Sequence, residues 1–496
     1  MLALRFMAAL MAGWLVFLWP TLVNGGAFFL ADTTAYMRGA DALVERVSGR
    51  TTSWSDETRK VIVRPTPKVS TASPTDAPRV VLAGRSIYYG IILYCLAAIG
   101  GFVAMAVFQA AICVAGATLA AIRIGEAVGR PMTPTTLGLV LVLTGLGTSV
   151  GFFAGYMVPD LFAALGALAL ASLIAFRGIL ARWEKWTWWF ILAVSLCVHS
   201  ANLLIFILVA AIVAVALWLA KRPHQFPLMM IGGALVVALA AEFSFAVGVE
   251  GAIGQRPVRP PFVAARLIDD GPGRDYLRER CGGSTFLLCE WRDRIPSGSD
   301  TILWSDAPGI ASFSSASSAE KRRLAKEEIP FIFAVVVDRP FAVVRGSLKT
   351  IGKQAAQWSL SEFNTDPAAR AWFKRKIPAQ ELVQIERTAA WSGTMPVGVA
   401  TWAIRISFTI AFVFAALAIF GRAVGVPGRV RLFLAILIVA IGCDILVTGL
   451  LSTPHDRYLV RITWILPFAM LTVFTTSLLA RLRSPSASSV TSPRPA

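Results

Sequence analysis

Long apolar runs separated by short polar stretches dominate the chain, and most of them read as helices that are hydrophobic on every face. Such runs occupy 6–30, 100–122, 137–158, 161–176, 186–219, 227–249, 397–420, 432–451 and 462–480. An α-helix rises about 1.5 Å per residue, so most of these runs reach across roughly 30 Å of hydrocarbon. The 186–219 run is long enough to cross twice if it turns at His199-Ser200-Ala201-Asn202, each half then being tilted or broken. The first run follows Arg5 and has the outline of a signal peptide. It continues past an ordinary h-region without a small-x-small exit and is read as a span. About ten spans result, and the fold class expected is an all-α polytopic membrane protein.

Two polar segments interrupt the series. Within 31–85, residues 33–47 carry a helical pattern with Tyr36, Ala40 and Leu43 on one stripe and 50–78 is rich in Thr, Ser and Pro; the following 86–98 is apolar and aromatic, as in an interfacial helix leading into the second span. The 250–395 segment is a domain-sized, mainly helical insertion. Turn signals fall at Gly271-Pro272-Gly273, Pro296-Ser297-Gly298 and the Ser-rich 312–318, and a helix is expected over 319–357. Its 335–358 part mixes apolar positions with Arg339, Arg345, Lys349 and Lys353, a pattern that lies along a membrane surface. The predicted organisation is an N-terminal transmembrane module (1–249) with the polar loop 31–85, an extracytoplasmic domain (250–395), C-terminal spans (396–480) and a disordered cytoplasmic tail (481–496).

Composition agrees with this pattern. Of 496 residues, 56% are hydrophobic and 15% charged, so few charges that a soluble fold would expose large apolar patches. The formal charge of +18 would suit a nucleic-acid partner until it is located. Short connections carry Arg123 and Arg130, then Arg177, Arg182 and Lys185, then Lys221 and Arg222, then Arg422, Arg429 and Arg431, and finally Arg481 and Arg483. All fall on one side if 186–219 crosses twice, and basic loops face the cytoplasm. Segments on that side hold 14 Lys/Arg against two acids, Glu126 and Glu184, whereas 31–85 and 250–395 carry 9 basic against 6 acidic and 21 against 17. The charge therefore reports orientation, with both termini cytoplasmic, and no nucleic-acid partner is expected.

No P-loop, GxSxG or HExxH occurs, and the three histidines are His199, His224 and His455. Gly145, Gly147, Gly151 and Gly155 have the spacing of close helix packing. Cys95, Cys113, Cys197 and Cys443 lie in apolar runs as small hydrophobes, while Cys281 and Cys289 sit in polar sequence and allow one disulfide in an oxidising compartment.

Ionisable residues at the membrane are costly and mark function by default. They are Asp32, Asp160, Glu242, Arg405, Asp444 and the group Ser452-Thr453-Pro454-His455-Asp456-Arg457-Tyr458-Leu459-Val460-Arg461, nearly all in the outer half. Carboxylates there can take a proton from an acceptor hydroxyl, and an arginine fork can hold a phosphate as charge develops on it. Each residue also has a plainer reading. Asp32 and Asp160 cap helices, Arg457 and Arg461 snorkel or pair with Asp456, Glu242 pairs with Arg405, Asp444 bonds to a neighbouring helix, and His199 is a turn histidine.

The pattern resembles the GT-C superfamily of integral-membrane glycosyltransferases, including uncharacterised bacterial members. The matching features are the first-span loop Asp32-Thr33-Thr34-Ala35-Tyr36, Gly84-Arg85-Ser86-Ile87-Tyr88-Tyr89 before the second span, Pro159-Asp160 after the third, and Arg457-Tyr458 followed by Pro467. The resemblance implies a multi-pass protein of the bacterial inner membrane with its site facing the periplasm. There a sugar moves from a polyprenyl-phosphate donor to a glycan, lipid or protein acceptor. It implies Asp32 as base or acceptor-orienting carboxylate, Asp160 as supporting acid, and Arg457 or Arg461 near the lipid phosphate; with the other candidates the expected substrate-binding set is Tyr36, Arg85, Tyr88, His199, Arg405, Asp444, His455, Arg457, Tyr458 and Arg461. Some members use a divalent metal, for which no ligand spacing stands out here. The 250–395 domain is inserted among the spans, unlike the C-terminal domains of many oligosaccharyl- and arabinosyltransferases. A transporter, flippase or polymer-export component and a non-catalytic membrane scaffold are the readings from other classes.

Overall fold

The computed structural model describes residues 1–50, 52–54, 81–222, 225–283, 285–421 and 426–483. Most of the Thr/Ser/Pro-rich 50–78, His224, Arg422 and the tail after 483 lie outside the described residues. Those described form helices joined by short connections, with two isolated parallel bridges, Phe28 with Tyr156 and Leu82 with Val258. Six described helices are long and apolar enough to cross a bilayer: Ile87–Ala127, Ser200–Leu219, Gln225–Ile253, Val397–Phe420, Gly428–Leu451 and Asp456–Thr476. Shorter apolar helices, Leu2–Phe17, Pro134–Gly147 and Leu161–Ala175, pack among them.

Val397–Phe420 leaves Trp402, Ile406, Ile410, Phe414 and Leu417 exposed along one face. Water does not tolerate such a face, and hydrocarbon does. Leu161–Ala175 is the opposite case, buried at every position. Its uniform hydrophobicity is that of a helix wrapped by protein on all sides. The chain is thus an all-α integral membrane protein built around this central helix.

Several expected spans are broken. The first run forms Leu2–Phe17 and a short Trp19–Asn24 with Pro20 in its first turn, ending at Gly25 in the left-handed conformation. The 137–158 run divides into Pro134–Gly147 and Val150–Ala154, because Thr148 is extended and the Ser149 hydroxyl donates to the Val460 carbonyl at 2.6 Å. Ile87–Ala127 loses helical geometry at Gly100 and Gly101, which sets its first three turns apart as an arm. The 186–219 run breaks at His199 into Arg182–Val198 and Ser200–Leu219. The helix expected over 319–357 breaks at Arg339 into Ser318–Asp338 and Pro340–Ala356, since Pro340 favours a new helix start. The last helix, Ile465–Arg483, runs into the expected tail. In Ala31–Ser48 the buried stripe is Tyr36, Met37, Ala40 and Asp41, with Leu43 exposed.

Membrane helices associate through close packing rather than apolar burial, and glycines permit it here. A Cβ on Gly145 would come within 2.7 Å of Val16, and one on Gly90 within 2.6 Å of the Tyr36 carbonyl. Gly147 faces open space and takes no part.

The basic connections meet at one end of the bundle. Arg123 bonds to Glu184 at 2.9 and 2.5 Å and also pairs with Glu126, Arg177 lies over Phe226, and Arg429 comes up beside Gly178. Beyond the other end, residues 258–335 enclose a second hydrophobic core including Leu277, Trp291, Leu303, Phe313 and Phe331. Buried Arg266 ties this core to Pro340–Ala356 through Thr350 (3.1 Å), and that helix packs on Gly428–Leu451. Cys281 and Cys289 are disulfide-bonded at its edge. Both cysteines are expected to resist an impermeant maleimide in intact cells until a reductant is added. Labelling without reduction would contradict the bond and the oxidising location.

Candidate functional site

Two loops far apart in sequence are joined first. Phe28 donates its N–H to the Gly155 carbonyl at 2.8 Å, Met157 donates to Phe28 at 3.0 Å, and the Thr33 hydroxyl donates to the Met157 carbonyl at 3.1 Å. These bonds set the Asp32 loop beside the Asp160 loop. Neither aspartate caps a helix: Ala31–Ser48 starts one residue before Asp32, and Asp160 makes no capping bond to Leu161–Ala175.

Asp160 is instead the buried centre of a charge cluster. Arg461 donates to its Oδ1 at 3.0 Å, His199 Nε2 lies 3.5 Å away, and Arg457 Nε faces its Oδ2 at 3.6 Å. Arg461 also donates to Asp444 at 2.6 Å, both side chains being fully buried. Asp160 and Asp444 thus share one guanidinium at the start of the last long apolar helix, and neither arginine snorkels. His199 fits both of its readings. Its Nδ1 accepts from the Ala201 N–H at 3.3 Å at the helix break, so a neutral ring carries its proton on Nε2, toward Asp160.

A second layer continues from Arg457, which donates to Glu362 at 3.2 Å and lies 4.9 Å over the Tyr458 ring. His455 has Asp300 3.2 Å from Nε2 and Glu362 3.3 Å from Nδ1. Gln354 holds both backbone polar groups of His455, and Asp456 accepts from Ser359 and Ser361 rather than pairing with an arginine. Asp300, Gln354 and Glu362 come from the 250–395 segment, whose near-balanced charge reads as ordinary surface. Nothing in their local sequence marks them.

An imidazole with a carboxylate at each nitrogen is stable as the cation. Burial works against that charge, yet the bonds to Asp300 and Glu362 prevail and raise the His455 pKa to about 10. Burial likewise opposes ionisation of Asp300 and Glu362, and the bond to His455 outweighs it and holds both carboxyls below their usual values. The stabilisation from His455 is complete below its ordinary value of about 6.5 and is lost as pH rises through about 10. That from the two acids is present above roughly pH 4 and is lost as pH falls through their lowered values. Thermal melts at about pH 7.5 and 10.5 are expected to show a smaller alkaline loss in His455→Gln than in the wild type. Equal losses would remove His455 from this role.

On the open side, Arg85 donates to Asp32 at 2.6 Å and lies over Trp304 at 5.6 Å. These two charged side chains remain 27% and 29% exposed, unlike the buried group behind them. The buried Tyr36 hydroxyl is pushed well above the usual value mainly by burial while it feels the charges of Arg85, Asp32, Asp160 and Arg457. A narrow crevice beside Arg85 is lined by Tyr88, Cys197, Ala241, Glu242 and Phe245. Tyr88 donates to the Ala241 carbonyl at 2.7 Å.

Arg405 reaches this assembly only through backbone, bonding to the peptide whose N–H, from Ser359, donates to Asp456. It donates to the Trp358 carbonyl at 3.2 Å and lies over the rings of Trp358 and Trp402, so the expected pair with Glu242 does not form. Tyr156 Oη is buried without a hydrogen-bond partner, and Asp160 Oδ2 and Arg457 Nε, 3.6 Å apart, have only each other. Among the described residues no group of three His, Cys, Asp or Glu side chains is set to hold a metal ion. No family model matches the chain, and no curated protein or solved structure is similar to it.

Proposed function

We propose that the protein is a GT-C-like glycosyltransferase that moves a sugar from a polyprenyl-phosphate donor to a hydroxyl-bearing acceptor at the outer face of a bacterial inner membrane. The chain would cross the membrane ten times, through Leu2–Phe17, Ile87–Ala127, Pro134–Gly147, Leu161–Ala175, Arg182–Val198, Ser200–Leu219, Gln225–Ile253, Val397–Phe420, Gly428–Leu451 and Ile465–Arg483. Both termini and the clustered basic connections would then be cytoplasmic.

The observation that carries this reading is that Asp32, Arg85, Asp160 and Arg457, from four separate stretches of chain, assemble at the end of the bundle away from the basic connections, with one carboxylate reachable and one sealed. In the transfer, the acceptor oxygen bonds to the anomeric carbon and the carbon–oxygen bond to phosphate breaks. The electron pair leaves with the polyprenyl phosphate, and the acceptor proton passes to Asp32 once Arg85 turns from the carboxylate to the phosphate. Arg457 is the cation next behind Arg85, nearly buried and held by Asp160 and Glu362. Arg461 is sealed and committed to two carboxylates, so it acts as a positioning residue for Asp160 rather than as a phosphate ligand. A divalent metal would have to take Asp32 from Arg85.

The test is release of polyprenyl phosphate by the purified, lipid-reconstituted protein from a panel of polyprenyl-phosphate sugars, with candidate acceptors supplied. Turnover of at least one donor, lost in Arg85→Ala, supports the reading. Transbilayer movement of the donor without cleavage would replace it with a flippase, and neither activity would favour a scaffold.

A further inference from the structure

The Asp160 cluster lies at the start of the central helix, and Arg177 lies two residues past its end. The helix has 15 residues, so the two places are roughly 22 Å or more apart. A cleft of about 610 Å³ opens at the Arg177 end, lined by Arg177, Lys221, Arg222, Trp218, Gln225, Phe226 and Met229.

Among the described residues its lining holds three cations and no acid. Among the described residues none of the three is in an ion pair or a side-chain hydrogen bond, and the Arg177 guanidinium lies over the Phe226 ring at 4.5 Å. Arg429 adds positive charge from a neighbouring connection, within 3.5 Å of where a Gly178 Cβ would be. The turn presenting Lys221 and Arg222 is built at some cost. Lys221 takes φ 53, in the left-handed region, while its N–H bonds to the Trp218 carbonyl at 2.9 Å and that of Arg222 to the Leu217 carbonyl at 2.8 Å. This is the helix-ending motif in which glycine usually stands, and here it carries a cation instead.

The other wall is apolar and open: Trp218 is 60% and Met229 64% exposed, on helices that turn their free faces to hydrocarbon. Unpaired cations beside an exposed apolar wall at a helix end fit a phosphate group with acyl chains attached. Free phosphate would use only the first half of that surface.

We propose that this cleft binds the head group of an anionic phospholipid. The site is separate from the Asp32 centre, and the proposal does not depend on the glycosyltransferase reading. The experiment is native mass spectrometry of the full-length protein with phosphatidylglycerol, with phosphatidylcholine of the same chains, and with inorganic phosphate as competitor. Wild type is expected to retain phosphatidylglycerol preferentially, and Arg177→Gln/Lys221→Gln/Arg222→Gln to retain about tenfold less. A control with equal charge loss elsewhere, Arg5→Gln/Arg130→Gln/Lys185→Gln, is expected to match wild type. Arg222→Gln alone, a change at an exposed side chain, carries the same test at about threefold. Equal retention in the cleft variants, equal retention of phosphatidylcholine, or displacement by inorganic phosphate would each overturn the proposal.

Discussion

Asp32→Asn and Asp32→Ala are expected to lower sugar transfer by a factor of roughly 10² to 10⁴, the range a positioned general base contributes, while expression, insertion and melting temperature stay at wild-type values. Folding should be spared because the Asp32–Arg85 pair is 29% and 27% exposed, and a pair of that kind contributes about 1 kcal/mol at most. The two variants separate two roles. Asparagine can still accept a hydrogen bond from Arg85 but cannot take a proton, whereas alanine does neither. Equal loss in both identifies a base, and substantial activity in Asp32→Asn alone identifies a carboxylate that orients the acceptor. Full activity in both would remove Asp32 from the chemistry.

The second large effect is on stability. Arg461→Met leaves Asp444 without its guanidinium partner and strips Asp160 of its shortest contact, in a place where both arginine and Asp444 have no solvent exposure. Breaking a buried pair from one side costs about 3–5 kcal/mol, so the variant should melt far below wild type or fail to purify as a single species. Asp444→Leu/Arg461→Met should recover much of the loss. It removes the orphaned carboxylate, and Asp160 keeps Arg457 and His199 as neighbours. Fluorescence-detected size-exclusion after heating distinguishes the three proteins. An Arg461→Met protein as stable as wild type would show that the triad carries no stability.

Much of the fold was legible because hydrocarbon imposes a simple rule on sequence. The apolar runs, the break at His199 and the collected basic connections all follow from the need to bury backbone polar groups and keep cations out of lipid. What did not follow was how each run is cut. The interruption at Thr148 accompanies the bond from Ser149 to the remote Val460 carbonyl, which no local pattern reports, whereas that at Leu18 falls just ahead of Pro20. The site shows the same division. Asp32, Asp160, Asp444, His455, Arg457 and Arg461 stand out because each is expensive where it lies. Asp300 and Glu362 pass unnoticed because a carboxylate in a polar segment is ordinary until tertiary structure gives it a partner. Arg405 stands out for the same reason as its neighbours, yet stacks on two tryptophans and forms no ion pair with the acids.

The triad at Arg461 also sets an order of assembly. Asp160 and Asp444 leave the ribosome before Arg461, so during synthesis two carboxylates must wait near or within lipid for a cation on the final long helix. Until that helix docks, both acids lack the guanidinium that holds them in the folded bundle. Docking of that helix and neutralisation of both acids thus become one event.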